Sequence, residues 1–166
     1  MLILATKLFR APIVTPSAGK LGELGNPIVN PSDAHLLAFH VLPSTLFGRK
    51  KIISITDIIV LDPKIVLINS PESIIDSQEI IRVKESADQQ ISLLKTKAYT
   101  KSKVYLGRVE DIVIDSETNM IIKYYIKHII QSRILPADKV VETKHNKIIF
   151  DDTVIAPNVE VKGVPA

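Results

Sequence analysis

The sequence has no cysteine and no tryptophan, and it carries only four Tyr and four Phe among 166 residues. Without cysteine there can be no disulfide, thiolate zinc site, iron–sulfur cluster or cysteine nucleophile. Aromatics at 5% leave a base-stacking platform poorly supplied. Six glycines give little material for a phosphate-cradling loop. Gly-x-Ser-x-Gly, Walker, Gly-x-Gly-x-x-Gly and His-Glu-x-x-His motifs are all missing, so the chain is not expected to be an enzyme and no cofactor is expected. No apolar run reaches the roughly 18 residues needed to cross a bilayer. The apolar start, Met1 to Ala5, stops at Lys7 and lacks the basic leader of a secretory signal. The expectation is a soluble, cytoplasmic protein.

What is abundant is branched aliphatic side chain: 26 Ile and 15 Val. Such residues lose rotamer freedom in helices and pack well on pleated sheets, which argues for a mostly β protein. At 46% hydrophobic and 23% charged, the chain has enough apolar material for a packed core. The net charge of +3 is mild, 21 basic residues facing 18 acidic ones.

Apolar runs of mostly four to seven residues alternate with turn signals. The first series is Ile3 to Leu8, Pro27 to Val29, Leu36 to Val41, Lys51 to Ile55, Ile58 to Leu61 and Ile65 to Ile68. The second is Ile91 to Leu94, Val109 to Ile114, Met120 to Ile130, Arg133 to Leu135, Lys139 to Val141 and Lys147 to Phe150. Between the two series, residues 76–90 are the most polar stretch and read as the boundary, a linker or a short helix. Residues 156–166 read as a weakly ordered tail.

The halves repeat. Leu21-Gly22 with its following strand aligns with Leu106-Gly107 at an offset of 85, and Leu36 to Val41 then falls on Ile121 to Ile126. Further on, Ile53 to Ile59 aligns with Ile134 to Val140 at an offset of 81. Gly22 and Gly107 each stand where the chain turns into the next strand, and a residue free to take positive φ is expected at both.

Leu106-Gly107-Arg108-Val109-Glu110-Asp111, the strand ending at Asp115, and the Ile134-Leu135-Pro136 segment resemble the PRC-barrel family. The resemblance covers about residues 91–155, and the assignment of residues 1–75 rests mainly on the repeat. It implies two small antiparallel PRC-type β-barrels in tandem. Such barrels are found in a photosynthetic reaction-centre subunit and a ribosome maturation factor, and they generally bind proteins without catalytic residues of their own. The implied role is a protein-interaction or adaptor module. The alternative is an RNA- or ribosome-associated assembly factor, and a homo-oligomer stays open.

Three sets of residues are candidates for chemistry. Lys95, Lys97, Lys101, Lys103 and Arg108 form the most one-signed stretch, either a phosphate- or partner-binding face or lysines protecting an edge strand. Ile122, Tyr124 and Tyr125 interrupt strict alternation, and they either face a partner or pack one half on the other. Asp111 and Asp115 share a strand face, the spacing of a metal-assisted hydrolase pair, although Asp115 also suits a turn. His35 and His40 are five apart and so point to opposite faces of a strand, which speaks against a metal pair. His145 reads as a hairpin tip.

Overall fold

The structure is a computed structural model, and it describes residues 1–30, 35–45, 48, 50–76, 93–144 and 146–155. All of the expected linker except Asp76, the tail and His145 lie outside the described residues.

The chain is mostly β. It opens with β1 (Leu2–Leu4) and a single helical turn, α1 (Ala5–Leu8). The run expected as one strand from Ile3 to Leu8 is thus split. Ala5 and Leu8, three apart, are both buried, so the turn puts two apolar side chains on one face. The helical turn is followed by Arg10 at φ 70°.

A seven-stranded sheet follows, made of β2 (Pro12–Thr15), β3 (Gly19–Val29), β4 (Leu36–Leu42), β5 (Lys51–Ser54), β6 (Ile58–Asp62), β7 (Ile65–Ile68) and β8 (Ile74–Asp76). Its order is β6-β7-β2-β3-β4-β5-β8. The second half supplies β9 (Lys97–Thr100), β10 (Tyr105–Asp115), β11 (Met120–Lys127), β12 (Arg133–Pro136), β13 (Val140–Lys144) and β14 (Lys147–Phe150). Read from β13, this sheet runs β13-β14-β9-β10-β11-β12, with β1 added alongside β10. The two halves therefore repeat the same six-strand order.

Both sheets are open and mixed, whereas closed antiparallel barrels were expected. The parallel pairs are β2 with β7 and β9 with β14. They arise because the chain, after meandering outward to β5 or β12, crosses to the opposite edge and returns by a hairpin. The crossing is one 3₁₀ turn in each half, Ile55–Asp57 and Ala137–Lys139. Six flat strands would put those edges about 24 Å apart. A three-residue turn with its two flanking bonds reaches at most about 14 Å. The sheet must curl for the turn to close.

The repeat is also visible in register. Ile13 stands beside Val66, and Ala98 beside Ile148, so the offset is 85 in the early strands and 82 in the late ones. Phe39 faces Ile53 just as Tyr124 faces Leu135. The expected offset of 81 instead matches buried Ile53 with Ile134, which is 58% exposed. Alternating side chains make a one-residue slip exchange the faces of the sheet.

The glycines of the repeat are not alike. Both follow a bulge, since the register slips between Ile13 and Val14 against β3 and between Tyr105 and Gly107 against β9. Gly107 has φ 129°, but Gly22 is not among the positive-φ residues. Gly22 is small for a different reason: a methyl there would lie 3.2 Å from the Val41 side chain.

The inward faces of both sheets and α1 form one contiguous core that includes Leu8, Ile13, Phe39, Ile53, Ile112, Tyr124 and Phe150. Each fully buried side chain of this size contributes about 1.5–3 kcal/mol. Tyr124, expected on an interaction surface, is 0% exposed and lies edge-on to Phe150 with ring centroids 5.6 Å apart. It occupies the position that Phe39 holds in the first sheet.

Candidate functional site

Lys147, Lys97, Arg108 and Lys127 are consecutive cross-strand partners on β14, β9, β10 and β11. All four are exposed, and paired residues on neighbouring strands project to the same side, so they form one row across the outer face. Strand spacing sets the row at about 14 Å long.

The bulge at Leu106-Gly107 decides what accompanies this row. Tyr105 and Arg108 are three residues apart and would face opposite ways on a regular strand. The extra residue re-aims the strand, so Leu106 turns inward while Tyr105 and Arg108 both point out. Gly107 allows it, because any β-carbon there would collide with the Lys127 carbonyl. Tyr105 is 42% exposed and lies 5.3 Å from Tyr99 and 5.5 Å from His128, centroid to centroid. The Lys147 ammonium sits 5.3 Å from the Tyr99 ring centre. Cations and aromatic rings thus alternate on this face.

The five basic residues singled out in sequence separate into three places. Lys97 and Arg108 are in the row. Lys95 is in the preceding turn at φ 70°, and its carbonyl accepts a hydrogen bond from Arg108 Nη1 at 3.1 Å. Lys101 and Lys103 flank Ser102 in the β9–β10 turn, at the far end of the strand. There Asp152 Oδ1 accepts from the Ser102 backbone N–H at 3.0 Å and its hydroxyl at 2.8 Å. These bonds, the backbone one first, hold the Asp152 carboxyl below the usual carboxylate range. Asp151 beside it is lowered too, chiefly by the Thr153 backbone N–H. The lysine turn therefore faces two carboxylates, and it is Lys127 and Lys147 that complete the row. Sequence reasoning missed both, because neither lies within the basic stretch.

The expected apolar surface is also redistributed. Tyr125 and Ile122 are half-buried, and Tyr125 stands opposite exposed Ile134. The strongest exposure falls just beyond β11, where Ile129 is 102% and Ile130 89% exposed. His128 Nδ1 accepts from the Ile130 backbone N–H at 3.1 Å, which ties the two isoleucines to the strand end.

Asp111 and Asp115 have separate tasks. Asp111 is buried, its Oδ1 accepting from the backbone N–H groups of Thr6 at 3.1 Å and Ile112 at 2.9 Å, and its Oδ2 from the Thr6 hydroxyl. Asp115 accepts from the Glu117 backbone N–H at 2.9 Å, and that bond lowers its carboxyl below the usual range. Among the described residues no group of three or more His, Cys, Asp or Glu could hold a metal ion. A cleft of about 320 Å³ is lined by Thr6, Phe9, Asn26, Leu94 and Lys95. Among the described residues no helix is long and apolar enough to cross a membrane.

Fold and site together define a class: a mostly β protein of two repeated curled sheets, the second carrying a basic, tyrosine-bearing outer face. No protein-family model and no curated protein matches the chain.

Proposed function

We propose that the protein is a non-catalytic binding module built from two tandem PRC-type barrels, and that its second half docks a protein partner through the β11–β12 corner. The observation that carries this reading is the pair Ile129 and Ile130, exposed at 102% and 89%. Exposed Ile134 and its half-buried cross-strand partner Tyr125 lie on the two strands that lead into this corner. Adjacent large apolar side chains held fully in water mark interaction sites. Aromatic and aliphatic residues of this kind anchor interfaces. The barrel reading is supported by the repeated strand order, the single 3₁₀ corner that carries the chain from β5 to β6 and from β12 to β13, and the residues that resemble the family.

The test is affinity purification from native lysate with nuclease present, comparing the natural chain with an Ile129→Ser/Ile130→Ser variant. A stoichiometric protein that survives nuclease and disappears with the variant supports the reading. No stoichiometric protein, or one retained by the variant, sinks it.

A further inference from the structure

The row Lys147, Lys97, Arg108 and Lys127 brings three like-charge pairs into direct cross-strand register. Directly opposed like charges destabilise a sheet, and opposite charges are what stability favours there. Lys127 has a neutralising neighbour, Glu110 at 3.5 Å. Among the described residues no carboxylate lies within ion-pair distance of Lys147, Lys97 or Arg108.

The fold does not require this row. The repeat gives an internal control, because the same positions in the first sheet are Ile65, Pro12, Glu23 and Leu42, with Pro12 opposite Glu23 and Glu23 opposite Leu42. One acid and no base stand there. The positions of Tyr99 and Tyr105 are held by Val14 and Lys20, which are also cross-strand partners. One strand order thus carries two surfaces, and cations with tyrosines are gathered on one of them.

We infer that the outer face of the second sheet binds single-stranded nucleic acid. Lys147, Lys97, Arg108 and Lys127 meet successive phosphates, and Tyr105, with Tyr99 beside it, stacks against bases. Charge complementarity selects a polyanion, and the exposed ring beside the cations selects one whose units carry flat faces. A single strand fits because its unstacked bases can lie against an exposed ring, whereas a duplex keeps its bases stacked inside. The guanidinium of Arg108 spends one N–H on the Lys95 carbonyl and keeps others for phosphate.

The test is fluorescence anisotropy of the full chain with labelled single-stranded RNA and DNA of about 12 nucleotides. A hairpin duplex and phosphatidylserine vesicles serve as comparators. Four phosphate contacts predict a log–log salt slope of about −2.8, so affinity falls roughly 50-fold between about 50 and 200 mM KCl. Arg108→Gln should make the slope shallower by about 0.7. Tyr105→Ala should weaken binding roughly 5- to 150-fold, and Tyr105→Phe, which keeps the ring, should restore most of it. Both sites are exposed, and circular dichroism melts verify that the variants fold. No binding at the lower salt overturns the proposal, as does binding indifferent to Tyr105→Ala. Equal or tighter binding to the vesicles or the duplex overturns it too.

Discussion

Asp111 accepts hydrogen bonds from both the backbone N–H and the hydroxyl of Thr6, a residue 105 positions earlier in the chain. The carboxylate satisfies one of the free N–H groups of α1, which has no side-chain cap of its own. It also ties the start of the chain to the second sheet, where β1 pairs with β10. Removing the acceptor leaves two backbone donors, of Thr6 and Ile112, and the Thr6 hydroxyl without it at a buried site. Asp111→Ala is therefore expected to lose about 3 kcal/mol in urea unfolding, and Asp111→Asn less because it keeps one acceptor. Asp115→Asn, on the exposed turn, should leave the urea midpoint close to that of the natural chain. Equal losses at the two aspartates would refute this division of labour.

The two repeat glycines should respond differently to a methyl group. Gly107 combines φ 129° with a collision against the Lys127 carbonyl, so Gly107→Ala must distort the bulge. A loss of more than about 3 kcal/mol is expected, together with altered Tyr105 and Arg108 resonances. Gly22→Ala meets only the Val41 side chain at 3.2 Å, which can shift. Its cost should stay below about 1.5 kcal/mol. Thermal or urea melts of the pair decide the matter.

Most strands could be read from composition and alternation, because Ile and Val runs between turn residues have few other uses. The same reading missed β2, β8 and β9: Pro12–Thr15 begins with proline, Ile74–Asp76 is too short to alternate, and Lys97–Thr100 follows the expected run Ile91 to Leu94, whose Leu93 and Leu94 lie in a turn. It extended β11 to Ile130, although the strand stops at Lys127 and the isoleucines beyond it face water. The site was only half legible. Period two says which residues share a face within one strand, but it does not say which strands are neighbours. Lys97 and Arg108 could be found in one basic stretch, while Lys127 and Lys147 join them only through the β14-β9-β10-β11 order. Aromatic content taken over the whole chain also hid that Tyr99 and Tyr105 come together. The Leu106-Gly107 bulge puts Tyr105 and Arg108 on one side, where simple alternation predicts opposite sides.

The repeat register makes a separate prediction. At the offset of 82, Ile53 and Leu135 are equivalent and both buried, while Ile134 faces outward. Ile53→Ala and Leu135→Ala should each cost about 2–5 kcal/mol. Ile134→Ala should change stability by about 0.5 kcal/mol or less. If Ile134 proved as costly as Ile53, the 81-residue alignment would be the correct one.

Acid should release the Lys101–Lys103 turn. Asp152 is held below the ordinary carboxylate range first by the Ser102 backbone N–H and then by its hydroxyl. A carboxyl whose folded value is depressed stabilises the fold above its unfolded value of about 3.9, and that contribution is lost as pH falls through the folded value. Protonation removes the charge that receives both Ser102 bonds, so the turn loosens on the acid side and is indifferent to pH from 6 to 8, values well above the window of about 4 and below. The Ser102 amide resonance should shift with a midpoint below the ordinary carboxylate value. Asp152→Asn should abolish that titration while the signal of Glu117, bonded to Asp115, still moves. A midpoint at or above the ordinary value would mean that the Ser102 bonds do not favour the charged form.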